Sequence, residues 1–127
     1  MPEDHVCLTN LPTNYPRLFA SSSLPYGVEV GEGWVDLLEI LCSRINTVLG
    51  EAPEASFQVL QVKEKFGTLR FYYRLEHAPD TVASAIRQAV DATAAASASC
   101  CERCGERGFL ASPKGWLRVR CPACADT

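Results

Sequence analysis

The 127-residue sequence lacks the features of a membrane-spanning or secreted protein. No segment approaches the roughly 18 consecutive apolar residues that a membrane span requires. The first ten residues, MPEDHVCLTN, contain no basic start followed by an apolar stretch, so they do not resemble a secretory signal. We therefore expect a cytoplasmic protein whose thiols stay reduced.

Residues arranged for catalysis are also scarce. The chain has only two histidines, His5 and His77, and neither stands in a recognisable motif. No glycine-rich phosphate loop, no Ser/His/Asp arrangement and no His-Glu-x-x-His motif occurs. Glu32 and Asp36 could pair near the start of a helix, but acidic residues favour that position in most helices. We predict no catalytic residues and no enzymatic activity.

Cysteine, in contrast, is concentrated near one end of the sequence. Five of the seven cysteines fall between residues 100 and 124. Cys101 with Cys104, and Cys121 with Cys124, form two Cys-x-x-Cys pairs separated by sixteen residues, which is the spacing of a zinc site. Four thiolates make a closed tetrahedral shell, so we predict one structural Zn²⁺ without a catalytic water. Cys100 is an alternative to Cys101, because its spacing to Cys104 is also permitted.

The segment between the two cysteine pairs predicts a zinc ribbon. Gly105 suits the positive φ of a turn whose amides approach the sulfur atoms. Two short strands are predicted at residues 108–110 and 116–120, on either side of the turn signal at residues 112–115.

Two helices are predicted in the preceding part of the chain. Apolar residues spaced by three and four predict a first helix that begins at Gly33 and ends at Gly50. Cys42 lies on its apolar side and is interpreted as a small buried hydrophobe rather than a reactive thiol. A second helix, with a stripe of small apolar residues, is predicted from Asp80 to about Ser99.

Residues 57–75 are rich in β-branched and aromatic side chains and predict a hairpin. We expect Leu60 and Val62 on its core face and Gly67 in its turn. The opposite face is predicted to carry Lys63, Lys65, Arg70, Tyr72 and Arg74. Basic groups beside an aromatic ring can contact phosphates and stack on a base, although an ordinary solvated sheet face is the interpretation we favour.

Residues 1–31 contain four prolines and little periodicity, which predicts an irregular arm. Its apolar residues are expected to hold it against the core, and they are Leu11, Tyr15, Leu18, Phe19, Leu24 and Tyr26. The order of elements predicts an α+β fold with two helices packed on a small antiparallel sheet. We expect this body to span residues 1–99 and the zinc ribbon, residues 100–127, to pack against it.

Several strings carry a resemblance to a known family. They are YPRLF from Tyr15, GEGW from Gly31, QVKEKFGTLRFY from Gln61, and the ribbon strings that begin at Cys101 and Gly115. With them the chain resembles a family of small uncharacterised bacteriophage and prophage proteins that have the central QVKEKFGTLRFY motif and a C-terminal zinc ribbon. The resemblance implies a phage or mobile-element origin and a bacterial cytoplasm as workplace, but it supplies no activity.

Charge favours a protein partner over nucleic acid. Residues 100–127 carry five basic and three acidic side chains, whereas residues 1–99 have a net charge of −5 within a total of −3. An acidic body disfavours broad contact with nucleic acid. We predict a host-takeover factor or an inhibitor of a defence system, for example an anti-CRISPR-like protein. The alternative is nucleic-acid binding through the basic ribbon and hairpin face. The predicted partner-binding residues are Lys63, Lys65, Arg70, Tyr72, Arg74, Trp116, Arg118 and Arg120.

Overall fold

The computed structural model describes residues 8–19, 27–112 and 115–125. The helices are α1 (Leu11–Asn14), α2 (Pro16–Phe19), α3 (Val35–Leu49) and α4 (Asp80–Ser97), and the strands are β1 (Ser56–Lys65), β2 (Thr68–Glu76), β3 (Phe109–Ala111) and β4 (Arg118–Arg120). Short 3-10 segments lie at Leu8–Asn10, Glu32–Trp34 and Pro122–Cys124. The α+β class with a small C-terminal ribbon is therefore confirmed. Within the described ranges, no helix is both long and apolar enough to cross a membrane.

Strands β1 and β2 form an antiparallel two-stranded sheet that turns at Phe66 and Gly67. Both turn residues have positive φ, 56° at Phe66 and 86° at Gly67, as a two-residue type I′ turn requires. Glycine adopts this conformation freely, whereas phenylalanine does so only at a cost in backbone energy. The predicted hairpin is confirmed, and its tip carries a strained aromatic residue.

The prediction that Leu60 lies on the core face is wrong. The pairing register shifts between Val59 and Gln61, so that β1 has one extra residue at this point. Val59 and Val62 are buried, whereas Leu60 is 39% exposed. A β-bulge interrupts the alternation of side chains, and strict period two therefore fails across it.

Helices α3 and α4 pack on each other, and α4 also packs on β2. Their apolar faces share one hydrophobic cluster with the hairpin, which includes Trp34, Leu38, Leu41, Ile45, Leu49, Val59, Val62, Leu69, Val82 and Ile86. Cys42 is fully buried among them, as predicted. The predicted helix ends are close to the observed ones, although Gly50 caps α3 in a right-handed conformation with φ of −60°.

The N-terminal arm is less irregular than predicted. Residues 8–19 fold into a 3-10 segment and the single-turn helices α1 and α2, which are too short to show periodicity in the sequence. Leu11, Leu18 and Phe19 are buried, which confirms that they hold the arm on the core. The guanidinium of Arg17 also donates hydrogen bonds to backbone carbonyls, including that of Leu49 at 2.7 Å. Leu24 and Tyr26, like Cys7 and His5, lie outside the described residues.

Strands β3 and β4 pair antiparallel and form the ribbon. The turn between them is joined by a hydrogen bond from the Gly115 amide to the Ser112 carbonyl at 3.3 Å, while Pro113 and Lys114 lie outside the described residues. Several contacts join the ribbon to the body, but the division of the chain into residues 1–99 and 100–127 stays a prediction.

Candidate metal centre and its surroundings

Two tight turns bring the ribbon cysteines together. At the first, the Gly105 amide donates to the Cys101 carbonyl at 2.9 Å, and Gly105 has the predicted positive φ, 85°. At the second, the 3-10 segment Pro122–Cys124 folds so that the Cys124 amide donates to the Cys121 carbonyl at 3.0 Å. Each turn therefore presents its two sulfur atoms on the same side.

The four sulfur atoms fit a single metal ion. The Sγ atoms of Cys101, Cys104, Cys121 and Cys124 all lie within 4.8 Å of one another. The Sγ atoms of Cys104 and Cys121 are 3.5 Å apart, close to the separation of about 3.8 Å that metal–sulfur bonds of about 2.3 Å give in a tetrahedron. The protein therefore has a cluster of four cysteines that could hold a metal ion.

Cys100, the alternative ligand, is not part of this group. Its Sγ lies 3.5 Å from the Gly33 carbonyl and 3.6 Å from the Gly105 carbonyl, within reach of weak S–H hydrogen bonds. Its side chain is thus directed to the body of the protein, and Cys101 supplies the sulfur atom to the cluster.

The thiols of the cluster differ strongly in acidity. Burial works against ionisation of Cys101, but backbone amides of both turns hydrogen-bond its sulfur and lower its pKa to about 6. The backbone amide of Glu106 favours the Cys104 thiolate, yet the Cys121 and Cys101 thiols, together with burial, outweigh it and raise the pKa of Cys104. Burial and the neighbouring thiols raise the pKa of Cys124 to about 12. A metal ion that binds all four sulfur atoms must therefore displace protons from Cys104 and Cys124.

The ribbon meets the body at a surface that we call the ribbon junction, defined by Gly31, Gly33, Trp34, Cys100 and Glu102. The Gly33 amide donates to the Glu102 carbonyl at 2.8 Å, and the Gly31 amide donates to the Glu102 carboxylate at 3.0 Å. The Trp34 indole donates to the Cys100 carbonyl at 2.8 Å. A Cβ atom added at Gly33 would lie 2.2 Å from the Cys101 carbonyl oxygen. The start of α3 can approach the first cysteine turn this closely only because its residues are glycines.

A second contact joins the ribbon to the tip of the hairpin. A Cβ atom added at Gly67 would lie 2.4 Å from Leu110 Cδ1 and 3.3 Å from the Arg118 backbone nitrogen. Three of the strings that carry the family resemblance, GEGW, the centre of QVKEKFGTLRFY and the first cysteine turn, therefore meet around the ribbon. The sequence gives little sign of this, because the contacting residues are 43 to 71 positions apart.

Glu102 is the residue of this region that sequence reasoning missed. Besides its bonds to Gly31 and Gly33, its Oε1 lies 3.8 Å from Nη1 of Arg120. Burial raises the pKa of the Glu102 carboxyl. The hydrogen bond from the Gly31 amide stabilises the carboxylate and acts in the opposite direction, but it is the smaller effect. The string Cys-Glu-x-Cys-Gly was visible in the sequence, but its glutamate carried no separate signal.

The residues of the predicted basic face lie on one side of the hairpin. Lys63 pairs with Arg70 and Lys65 with Thr68 across the strands, so their side chains share one side of the sheet with Tyr72 and Arg74. Lys65, Tyr72 and Arg74 are exposed, whereas Lys63 and Arg70 are half-buried. The role of this face in binding a partner stays a prediction.

The predicted partner-binding residues of the ribbon differ in solvent exposure. Trp116 is 63% exposed. Arg118 donates from Nη2 to the Ala125 carbonyl at 3.0 Å, and Arg120 donates from Nη1 to the Val119 carbonyl at 3.0 Å. Both arginines are half-buried, and their hydrogen bonds to backbone carbonyls help to hold the ribbon.

Other exposed apolar side chains of the ribbon and the hairpin tip were not among the predicted partner-binding residues. Phe66 at the hairpin tip is 65% exposed, and in the ribbon Phe109, Leu110 and Leu117 are 56%, 45% and 38% exposed. A possible signal was the density of large apolar residues in a ribbon too small to bury them.

The comparisons with known proteins add no relative. No protein-family model, no curated protein and no solved structure matches this chain.

Proposed function

We propose that the metal ion of the ribbon is Zn²⁺ and that it is structural. Four thiolates suit zinc, and four protein ligands leave no position for a substrate or a reactive water. Three of the four cysteines are buried, which also suits a site that holds the fold. The proposal assigns no catalytic residue to the protein.

The protein then acts by binding a macromolecular partner, and the partner is a protein. The observation that carries this proposal is the distribution of exposed apolar groups. Of eight exposed large hydrophobic side chains in the described residues, four lie in the ribbon and a fifth, Phe66, lies at the hairpin tip that contacts it. A concentration of exposed large apolar side chains in so small a ribbon favours an interaction surface. The family resemblance adds the context of a phage or prophage accessory protein in the bacterial cytoplasm, such as a host-takeover factor or an anti-CRISPR-like inhibitor.

The test is affinity purification of the tagged, zinc-loaded protein from a bacterial lysate, with and without nuclease, followed by mass spectrometry. We expect a defined protein partner that survives nuclease and is lost with the double variant Trp116→Ala, Leu117→Ala. The matched control is Ile40→Ala, because Ile40 is a similarly exposed apolar residue, 56% exposed, on α3. Equal recovery of the partner with both variants would place the binding surface elsewhere.

Nucleic-acid binding is the second candidate, and the observation in its favour is the shared face of the hairpin. Lysine and arginine side chains there flank the exposed ring of Tyr72. If that face binds duplex DNA, Lys65→Ala with Arg74→Ala should lower the slope of log K against log salt concentration by about 2. Binding that does not depend on salt would contradict this candidate.

A further inference from the structure

Strand β2 has one edge without a neighbouring strand. It pairs with β1 on one side, and in the described part of the chain no strand pairs with its other side. The Leu69 amide donates to the Ser97 hydroxyl of α4 at 2.9 Å, so it points away from β1. Because backbone groups alternate in direction along a strand, those of Phe71, Tyr73 and Leu75 point to the same side as that of Leu69. We call the outer side of residues 70–76 the β2 edge.

The β2 edge is limited at both ends. At one end, α4 already occupies the Leu69 amide. At the other end, His77 has a positive φ of 62°, which ends the extended backbone of the strand. Within residues 8–19, 27–112 and 115–125, no hydrogen bond from another element reaches the outward-facing backbone groups between these two positions. Such a row of unpaired donors and acceptors is a template for another strand.

The outer edge of β1, in contrast, is protected. The Glu29 amide donates to the Val62 carbonyl at 2.8 Å, and a bulge at Leu60 interrupts the regular ladder. A covering segment and a bulge both hinder the pairing of a sheet edge with another chain. The β2 edge, with the sequence RFYYRLE, contains no proline, no lysine and no extra residue. It is therefore the edge of this sheet that another strand can join.

We propose that the β2 edge binds the β2 edge of a second copy of this chain, in antiparallel orientation and around a two-fold axis at Tyr73. Tyr73 is the middle residue of the edge, so this register uses its whole length and leaves the contact of Leu69 with α4 intact. Phe71 then lies opposite Leu75 of the second copy, and the outward-facing residues exchange backbone hydrogen bonds. The two sheets join into one of four strands, and both copies use the same surface. The inference goes beyond the proposed function, because the partner is a second copy of the chain.

The side chains are complementary in this register. Arg70 lies opposite Glu76 of the second copy, and Tyr72 lies opposite Arg74, so an ion pair and a cation–π contact each form twice. Within one chain Arg70 faces Lys63 across the hairpin, and an acidic neighbour on its other side offsets this like-charge pair. A shift of the register by two residues is unfavourable in either direction. One shift places Arg70 opposite Arg74, and the other places Arg74 opposite its own copy.

Packing also favours an axis at Tyr73. The half-buried side chains of Tyr73 and Leu75 pack against the edge of the hydrophobic cluster, and the Tyr73 ring stacks on Phe57 with their centroids 5.3 Å apart. Pairing of two β2 edges continues this apolar layer from one copy into the other. Burial raises the pKa of Tyr73, while Arg87 of α4 lowers it and Asp91 raises it. Helix α4 therefore presents both signs of charge near the axis.

The experiment is sedimentation velocity with the full, zinc-loaded chain at concentrations from about 1 to 300 µM. We expect a weight-average mass that rises with concentration from that of one chain towards that of two. Amide hydrogen exchange should slow at Phe71, Tyr73 and Leu75 as the concentration rises, because these amides become hydrogen-bonded. The Tyr72 amide faces β1 in each copy, and its exchange should change less.

Charge reversals test the register. Arg70→Glu and Glu76→Arg should each raise the Kd of the dimer about tenfold, because both attractive pairs become repulsive. A one-to-one mixture of the two variants should regain the affinity of the native chain, because every pair is then attractive again. Glu51→Arg is the matched control, since Glu51 is an exposed acid outside β2 and its reversal changes the net charge by the same amount as Glu76→Arg. It should leave the Kd unchanged.

Thermal unfolding is measured for every variant, because half-buried Arg70 also contacts its own sheet. If Arg70→Glu does not fold, Glu76→Gln takes its place. Its Kd should lie between those of the native chain and of Glu76→Arg, because it removes the attraction without adding repulsion.

Four results would overturn the inference. They are a monomer at every concentration, equal effects of Glu76→Arg and Glu51→Arg, a mixture of the two reversals that associates no better than either alone, and a dimer that Glu76→Arg retains but the double variant Trp116→Ala, Leu117→Ala loses. The last result would place the contact between copies on the ribbon.

Discussion

At the scale of single residues, strain at the hairpin tip has a measurable consequence. Phe66 has a φ of 56° and is 65% exposed. Burial of its ring therefore does not offset the energy of its unfavourable backbone conformation. The Nζ atom of Lys65 lies 5.5 Å from the centroid of this ring. Asparagine is favoured at the first central position of a type I′ turn.

Phe66→Asn is therefore expected to stabilise the protein by about 1 kcal/mol, because the strain is relieved and little packing is lost. The measurement is urea unfolding of the zinc-loaded chain. Phe66→Ala is the control, since alanine removes the ring but keeps the backbone strain. The explanation fails if the asparagine variant is no more stable than the alanine variant.

Cys42 predicts a loss of stability in alkaline solution. Burial, with a smaller effect of Glu39, raises the pKa of this thiol from 9.0 to about 12. Its contribution is fully present below pH 9 and is lost as the pH rises from 9 to 12, because the unfolded chain releases the proton first. The free energy of unfolding should fall by about 1.4 kcal/mol per pH unit from this group alone. Burial and Glu39 raise the pKa of Tyr15 to about 12, which acts in the same direction.

The check is the difference in unfolding free energy between pH 8 and pH 10 for the native sequence and for Cys42→Ala. The variant is expected to lose stability overall, since it leaves a small cavity, but to lose less of it between the two pH values. An unchanged difference would mean that the thiol is not held neutral by the core.

At the scale of secondary-structure elements, local patterns were good predictors and long-range contacts were not. The three-to-four spacing of apolar residues located α3, and alternation located the hairpin. Alternation could not reveal the bulge at Leu60, because an extra residue in one strand has no local marker. The cysteine spacing gave the four clustered sulfur atoms, since two short turns determine that geometry. Nothing local indicated that Glu102 would bind Gly31, a residue 71 positions away.

The ribbon junction gives a prediction at this scale. Gly33→Ala should destabilise the protein by about 2 to 3 kcal/mol, because the new methyl group would overlap the Cys101 backbone, which the cluster holds in place. Gly50→Ala is the control; its added Cβ would lie 3.1 Å from the Thr47 carbonyl at an exposed helix end, and the expected change is within about 1 kcal/mol. The comparison is made by urea unfolding, and similar costs for the two variants would show that the close approach at Gly33 is not constraining.

At the scale of the whole molecule, we expect the cluster of four cysteines to link metal binding to folding. The ion must displace protons from Cys104 and Cys124, whose pKa values are raised, so metal affinity should increase with pH. The first cysteine turn also holds the start of α3, and removal of the metal should therefore reach beyond the ribbon.

We expect Cys104→Ser to abolish stoichiometric zinc binding and Cys100→Ser to keep one zinc per chain. The reason is that Cys104 belongs to the cluster and Cys100 does not. Elemental analysis of the purified variants measures this. Hydrogen exchange after chelation should show faster exchange of the Gly31 and Gly33 amides together with the ribbon, and little change in the middle of α4. Loss of zinc in Cys100→Ser would show that Cys100 is a metal ligand. Unchanged exchange at Gly31 and Gly33 would show that the metal does not stabilise the ribbon junction.

The ribbon junction also bears on how fast the chain folds. Its hydrogen bonds join residues 66 to 71 positions apart, and contacts of such high sequence separation slow folding, because a long loop must close before they form. During synthesis, residues 31–34 leave the ribosome long before Cys121 and Cys124. The start of α3 therefore lacks its contacts with the ribbon while the rest of the body can already collapse. With the proposed Zn²⁺ in the cluster, we expect closure of the ribbon to be the last step of folding, at a rate that depends on the concentration of free zinc.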